Sequence, residues 1–147
     1  MSEQRITRTT LEFPYTRTMG PVMGPFLHGL ADRRLLAARG ADGRVLFPPV
    51  EYDPESGKRL DQELVEVGPE ATVTSWTWVA EPTDKHPLGH PFAFALVRPD
   101  GADTAMVHAV DAGDASAMST GMRVRPRWRT ERRGFITDLE AWEAVPS

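Results

Sequence analysis

Arg123, Arg125, Arg127 and Arg129 stand at every second position near the end of this 147-residue chain. Side chains on a strand alternate between faces. These four therefore share one face, and Met122, Val124, Pro126 and Trp128 share the other. Arg132 and Arg133 follow. Such a row has two readings. It is an anion-binding face for nucleotide, coenzyme A or nucleic-acid phosphates, or it is a solvated sheet face matched by acidic neighbours. Pro126 has no amide hydrogen for a ladder, which puts this strand at an edge or a bulge. Trp76 and Trp78 share a face of another predicted strand with Thr74 and Ala80, opposite Val73, Ser75 and Thr77. Paired aromatics on a small barrel either stack bases or fill a core or interface.

The four histidines are His28, His86, His90 and His108. An i, i+4 pair such as His86 and His90 shares a face only on a helix. Pro87, Gly89 and Pro91 forbid a helix there, so the pair reads as part of an inter-strand loop rather than a metal site. His108 alternates with Met106 and Val110 in a predicted strand, as a core or cleft residue. Its spacing from Asp111 is the one pairing that supports an independent enzyme. His28 lies on a predicted helix, at a surface or interface. The carboxylates show no spacing that implies acid/base work: Asp61, Glu63 and Glu66 read as a solvated edge, Asp111 and Asp114 as turn residues. Ser75, Ser116 and Ser119 lack a nucleophile-elbow context. With no cysteine, thiolate zinc, iron–sulfur clusters, disulfides and a cysteine nucleophile are excluded.

The elements that position these residues follow from punctuation and period. Residues 1–24 read as an irregular apolar arm, broken by Pro14, Gly20, Pro21 and Gly24. Residues 25–38 read as a helix, with Pro25 in its first turn and Phe26, Leu27, Leu30, Leu35 and Leu36 as its stripe. Residues 39–59 hold two tight turns, at 41–43 and 53–57, around one short strand at 44–47. From residue 62 the pattern is strand. Five runs open at Leu64, Ala71, Phe92, Thr104 and Met122, separated by Gly-containing turns, and predict a small antiparallel barrel. Residues 138–142 read as a helical turn or an extended cover. The net charge of −4 gives no global pull toward nucleic acid or anionic lipid. No apolar run approaches a membrane span, and the first ten residues lack a signal-peptide core; the expectation is a cytoplasmic protein.

The order helix, two-turn insert, barrel resembles the zinc-ribbon/OB-fold proteins that associate with acyl-CoA enzymes. The matching phrases are FLHGLADRRLLAARGADGRVLFPP (26–49), EVGPEATVTSWTWV (66–79), HPFAFALVRPDGA (90–102) and GMRVRPRW (121–128). GRVLFPP after a Leu-rich segment is the most specific. The resemblance implies a mostly β chain: residues 1–60 as arm, helix and a degenerate rubredoxin-like zinc ribbon, and 61–147 as a five-stranded OB-fold barrel. Members of that family carry two C-x2-C knuckles. Here the four slots hold Arg39, Asp42, Asp53 and Ser56, which do not bind zinc as four thiolates do. The expectation is therefore a metal-free knuckle held by turn bonds and by ion pairs of Arg39 or Arg44 with Asp42 or Asp53, and leaning on the barrel or a partner for its order.

The function that the resemblance implies is a non-catalytic accessory subunit, with no cofactor of its own. It would bind a thiolase-like enzyme, an acyl-CoA thiolase or an aldolase acting on steroid side-chain CoA thioesters, and help shape its acyl-CoA site. Phe26, Leu27 and Leu30 are candidate docking residues, together with the apolar arm. Trp76, Trp78, His86, His90, Arg123, Arg125 and Arg127 are candidates for contact with the partner or its coenzyme A. The alternative is a single-stranded nucleic-acid-binding OB-fold using the tryptophans and the arginine row, against which the overall acidity and the scarcity of lysine weigh.

Overall fold

The computed structural model describes residues 20–60 and 64–146. The stretch from Leu11 to Met19, and Asp61 and Glu63, lie outside them. Helix α1 spans Gly20–Ala31, so it both starts and stops earlier than the apolar stripe predicts. It stops because Arg33 takes a left-handed φ of 61°. There the Arg33 and Arg34 amides fold back onto the carbonyls of Leu30 (3.0 Å) and Gly29 (2.8 Å). Leu35–Arg39, predicted as the helix's last turns, is strand β1, and its first four residues are all buried. A short apolar run buried on both faces has no period that separates strand from helix.

Strands β2 (Val45–Leu46) and β3 (Leu64–Val67) flank β1 in an antiparallel sheet, with Ala38 opposite Leu46 on one side and Leu35 opposite Val67 on the other. The Leu64 run, expected to open the barrel, thus belongs to the ribbon sheet. The barrel comprises β4 (Ala71–Val79), β5 (Phe92–Pro99), β6 (Met106–Val110), β7 (Arg123–Trp128) and β8 (Leu139–Ala144). They run in the order β4-β5-β6-β8-β7, which closes on itself. The predicted tail cover is instead the fifth strand. It lies antiparallel to β7 and meets β6 in parallel at Val110 and Trp142.

The closing seam is short. Strand β7 meets β4 only at Ala71 with Val124 and Thr72 with Arg123, extended by Val73–Met122 and Gly121–Val73 bonds of 3.0 and 2.7 Å. Beyond it β4 departs through a bulge between Val73 and Ser75. Pro126 lies past the seam, paired only toward β8 opposite Trp142. Its missing amide therefore costs no ladder bond, as expected for an edge position.

One core joins both parts. Phe26 and Leu30 of α1 pack with Leu35, Phe47, Val73, Val97, Val110 and Trp142, and Phe26 meets Phe47 edge-on at 6.0 Å. Each such side chain contributes roughly 1.5–3 kcal/mol. The ribbon's private core is small: Ala38, Leu46 and Leu60. The β5–β6 loop stitches it to the barrel. Asp103 Oδ2 accepts the Val45 amide at 2.8 Å. The Thr104 hydroxyl accepts the Phe47 amide at 2.7 Å and donates to the Phe47 carbonyl at 2.9 Å. The Arg132 guanidinium donates to the Ala31 carbonyl at 2.8 Å, satisfying an orphan acceptor at the end of α1. Among the described residues, no helix is long and apolar enough to cross a membrane.

Candidate functional site

The two turns of the ribbon are joined by one carboxylate. Asp53 is 6% exposed. Its Oδ2 accepts the Ala41 amide at 2.8 Å, and its Oδ1 accepts the Glu55 and Ser56 amides at 2.8 and 3.2 Å. The first bond crosses between turns; the other two hold the second turn. Asp42 accepts the Arg44 amide at 3.0 Å within the first turn, and Ser56 Oγ accepts the Lys58 amide at 3.3 Å. A Cβ on Gly40 would stand 3.1 Å from Asp42 Oδ1 and 3.3 Å from Asp53 Oδ2, so glycine lets both carboxylates approach. The Ala41 amide above all, with Glu55, Ser56 and the Arg44 charge, outweighs burial and holds the Asp53 carboxyl below its ordinary 3.8. The Arg44 guanidinium itself lies 3.8 Å from Glu55, and Arg39 reaches the Gly43 carbonyl at 3.4 Å. For Asp53, backbone donors supply what an ion pair was expected to supply. Among the described residues, no three His, Cys, Asp or Glu side chains gather as metal ligands do.

The arginine row is matched by acid. Arg123 binds Asp100 in a two-pronged contact at 2.5 and 2.8 Å, Glu70 at 3.2 Å and the Thr72 hydroxyl at 2.8 Å. Arg125 meets Glu143 at 3.2 Å. Arg127 lies between Asp111 and Glu140, both at 3.0 Å, with Glu143 at 3.6 Å. Arg129 falls beyond β7, past a register shift, and donates to the Thr137 carbonyl at 2.7 Å. Of the two readings of this row, acidic neighbours on a sheet face describe its first three members. Burial pulls the Asp111 carboxyl up, but hydrogen bonds from Arg127 and His90 outweigh it and hold it below the carboxylate range.

The tryptophans lie inward, and a bulge puts them there. Simple alternation sets Val73 on the face opposite Trp76. The extra residue at Thr74 shifts the phase by one, so that Val73 pairs with Val97, Trp76 with Ala95 and Trp78 with Ala93. Both indoles are half-buried against the main core, and the small alanines opposite leave them room. Phe26 and Leu30, at 2% and 0% exposure, are spent on the same core. Leu27 is half-buried against it. Phe26 and Leu30 present no open docking face, while Leu27, Trp76 and Trp78 keep part of their surface.

The histidines separate. The His86 ring packs edge-on against Phe92 (5.7 Å) and Phe94 (5.9 Å), and its Nδ1 accepts the Thr83 amide at 2.8 Å. The 82–91 loop is thereby folded onto the barrel's outer face, with its own Leu88 packed in one cluster with Phe92 and Ala109. His90 pairs with Asp111 at 3.0 Å. His108 does not meet Asp111; its Nδ1 is 3.5 Å from the Ala109 carbonyl. Burial pushes its imidazole below the ordinary value. The pairing that supported an independent enzyme is therefore replaced by a His90–Asp111–Arg127 chain. His28 is exposed on α1.

The sequence reading missed an exposed apolar strip. Leu96 and Val107 lie opposite each other across β5 and β6 on the outer face, 37% and 61% exposed, and Ile136, 44% exposed, lines one pocket with Val107. A pocket of about 200 Å³ opens among Pro87, Phe94, Val107, His108, Ile136 and Leu139. The signal was present in Phe92, Phe94 and Leu96, which alternate with Ala93, Ala95 and Val97. An all-apolar strand, however, does not say which of its faces is covered.

This geometry defines an OB-fold barrel fronted by a helix and a ribbon sheet, and the strip lies on the face where OB-folds hold their ligands. Residues 64–129 match the family model described as ChsH2, C-terminal OB-fold domain. A solved structure described as the Ltp2-ChsH2(DUF35) aldolase is similar over 81% of this chain and 91% of that one, with 21% identity and a TM-score of 0.59. A DUF35-family protein of unknown function from Sulfolobus solfataricus is similar over 89% and 88%, with 19% identity and a TM-score of 0.64. At these identities the likeness carries the fold, ribbon included. No curated protein matches the chain.

Proposed function

We propose that this chain is a non-catalytic accessory subunit of a thiolase-like acyl-CoA enzyme, acting as a scaffold beside the partner's active site. The observation that carries the reading is the likeness, over nearly the whole length of both chains, to a component of the Ltp2-ChsH2(DUF35) aldolase. Two features of this molecule support it. Asp111, the one carboxylate whose spacing suggested a catalytic pairing, is committed to His90 and Arg127. An apolar strip also stays open on the barrel, as interacting surfaces do. In this role the catalytic groups and the acyl-CoA belong to the partner. The 82–91 loop, with His86 and His90, borders the shared substrate channel, and the arginine row meets acidic partner residues or coenzyme A only by exchanging its present carboxylates. Co-expression with a thiolase-like subunit encoded beside this chain, followed by size exclusion, tests the assignment. The two are expected to elute together; a folded chain that elutes alone overturns it.

A further inference from the structure

The outer face of β5 and β6 is uncharged at its centre. Its outward residues are Phe94, Leu96, Val107 and Ala109, with Ser75 and Thr77 alongside on β4 and Arg98 exposed toward the end of β5. The pocket sunk beside them, between the 82–91 loop and the 129–138 loop, holds about 200 Å³. Small-molecule sites run to roughly 300–1,000 Å³. The space by itself takes one large side chain, and the cleft that shares Arg129, Thr137 and Glu140 with it holds about 470 Å³ more. The pocket's lining is apolar apart from His108, whose imidazole burial pushes below the ordinary value, and Arg129, Thr137 and Glu140. The neighbouring cleft mixes signs, with Arg129 and Arg133 against Glu131 and Glu140. A neutral, apolar centre inside a mixed-sign rim is the anatomy of a protein–protein contact. A polyanion wants a basic groove with stacking platforms, and here the nearby guanidinium of Arg127 is already held by Asp111 and Glu140.

We infer that the β5–β6 outer face, centred on Leu96, Val107 and Ile136, is the surface on which the thiolase-like subunit docks, and that the partner inserts one large apolar or aromatic side chain into the pocket beside His108. This inference rests on the accessory-subunit reading and adds the face to it. Phe26 and Leu30 of α1, by contrast, are turned into the core.

The test uses the full-length chain and the co-expressed thiolase-like subunit, with affinity measured by titration. Val107→Asp and Ile136→Asp each put a charge where the partner's anchor would sit. Each is expected to weaken binding about 30-fold or more, the size of an interface hot spot. Tyr52→Ala, on the ribbon, is expected to leave binding within about twofold, as most contacts outside a hot spot do. Circular dichroism checks that each variant is folded. Hydrogen exchange on the wild-type complex supplies a readout that needs no substitution: protection is expected at 94–96, 106–108 and 135–137. A complex that forms but protects α1 or the ribbon instead, or that ignores both aspartates, overturns the face and leaves the accessory role standing. The absence of any complex overturns both. A single-stranded oligonucleotide that binds the wild type but not Val107→Asp also overturns the inference, because the face would then be a nucleic-acid site.

Discussion

The Asp53 carboxylate accepts the Ala41 amide at 2.8 Å across twelve residues of chain. With the Glu55 and Ser56 amides on its other oxygen, one buried side chain ties together two turns that sit where the family resemblance expects four thiolates around a metal. A carboxylate accepting several backbone amides is strongly favoured in its charged form.

Asp53→Ala removes all three acceptor contacts and leaves the Ala41, Glu55 and Ser56 amides without their side-chain partner. The expected result is faster hydrogen exchange at Ala41, Glu55 and Ser56 with the barrel amides unchanged. The same bond sets a pH dependence. The folded-state carboxyl titrates below its ordinary 3.8, so its contribution is present above that value and is lost as pH falls through the lower, folded one. Those three amides should lose protection in acid before the barrel melts. Uniform loss across the chain would contradict a local role.

Deleting Thr74 removes the bulge. Trp76 and Trp78 would then leave the face they share with Val73, or Val73 would turn outward. Either way large apolar side chains face water and a cavity opens beneath them. Large-to-small core changes cost about 2–5 kcal/mol, and a phase error affects three residues at once. The deletion is expected to abolish cooperative unfolding, whereas Thr74→Ala, which keeps the extra residue, should shift the denaturant midpoint only slightly. Equal behaviour of the two would refute the assignment of the bulge.

Arg123 and Arg127 both hold carboxylates but should not cost the same. The Arg123–Asp100 and Arg123–Glu70 pairs are well exposed, and exposed pairs contribute about 0–1 kcal/mol. Arg127 is 30% exposed and its partner Asp111 only 16%, so Arg127→Ala leaves a largely buried carboxylate with His90 as its remaining side-chain partner and should cost about 1–3 kcal/mol. Urea titrations of both variants decide it; a costlier Arg123→Ala would show that burial is not what ranks them.

Much of this protein is legible in its sequence. The turn residues marked both knuckles, β-branched and aromatic runs marked four of the five barrel strands, and Pro126 marked a place where the ladder stops. These are local properties, set by backbone preference and period over a few residues.

Other features depended on distant neighbours. Leu35–Ala38 is a strand only because β2 and β3 flank it and α1 covers it; its own apolar run fits a helix equally well. Leu64–Val67 went to the ribbon, and Leu139–Ala144 to the barrel, because pairing is a choice among partners far apart in the chain. A single inserted residue at Thr74 moved the tryptophans inward, which no alternation pattern reveals. Asp53 became a crosslink when Ala41 was brought to it. The candidate docking face emerged by subtraction: the fold covered Phe92 with His86 and its loop and left Leu96, Val107 and Ile136 in the open. Residue types and their spacing set what each segment favours, while burial and pairing between remote segments decide which of those preferences are used.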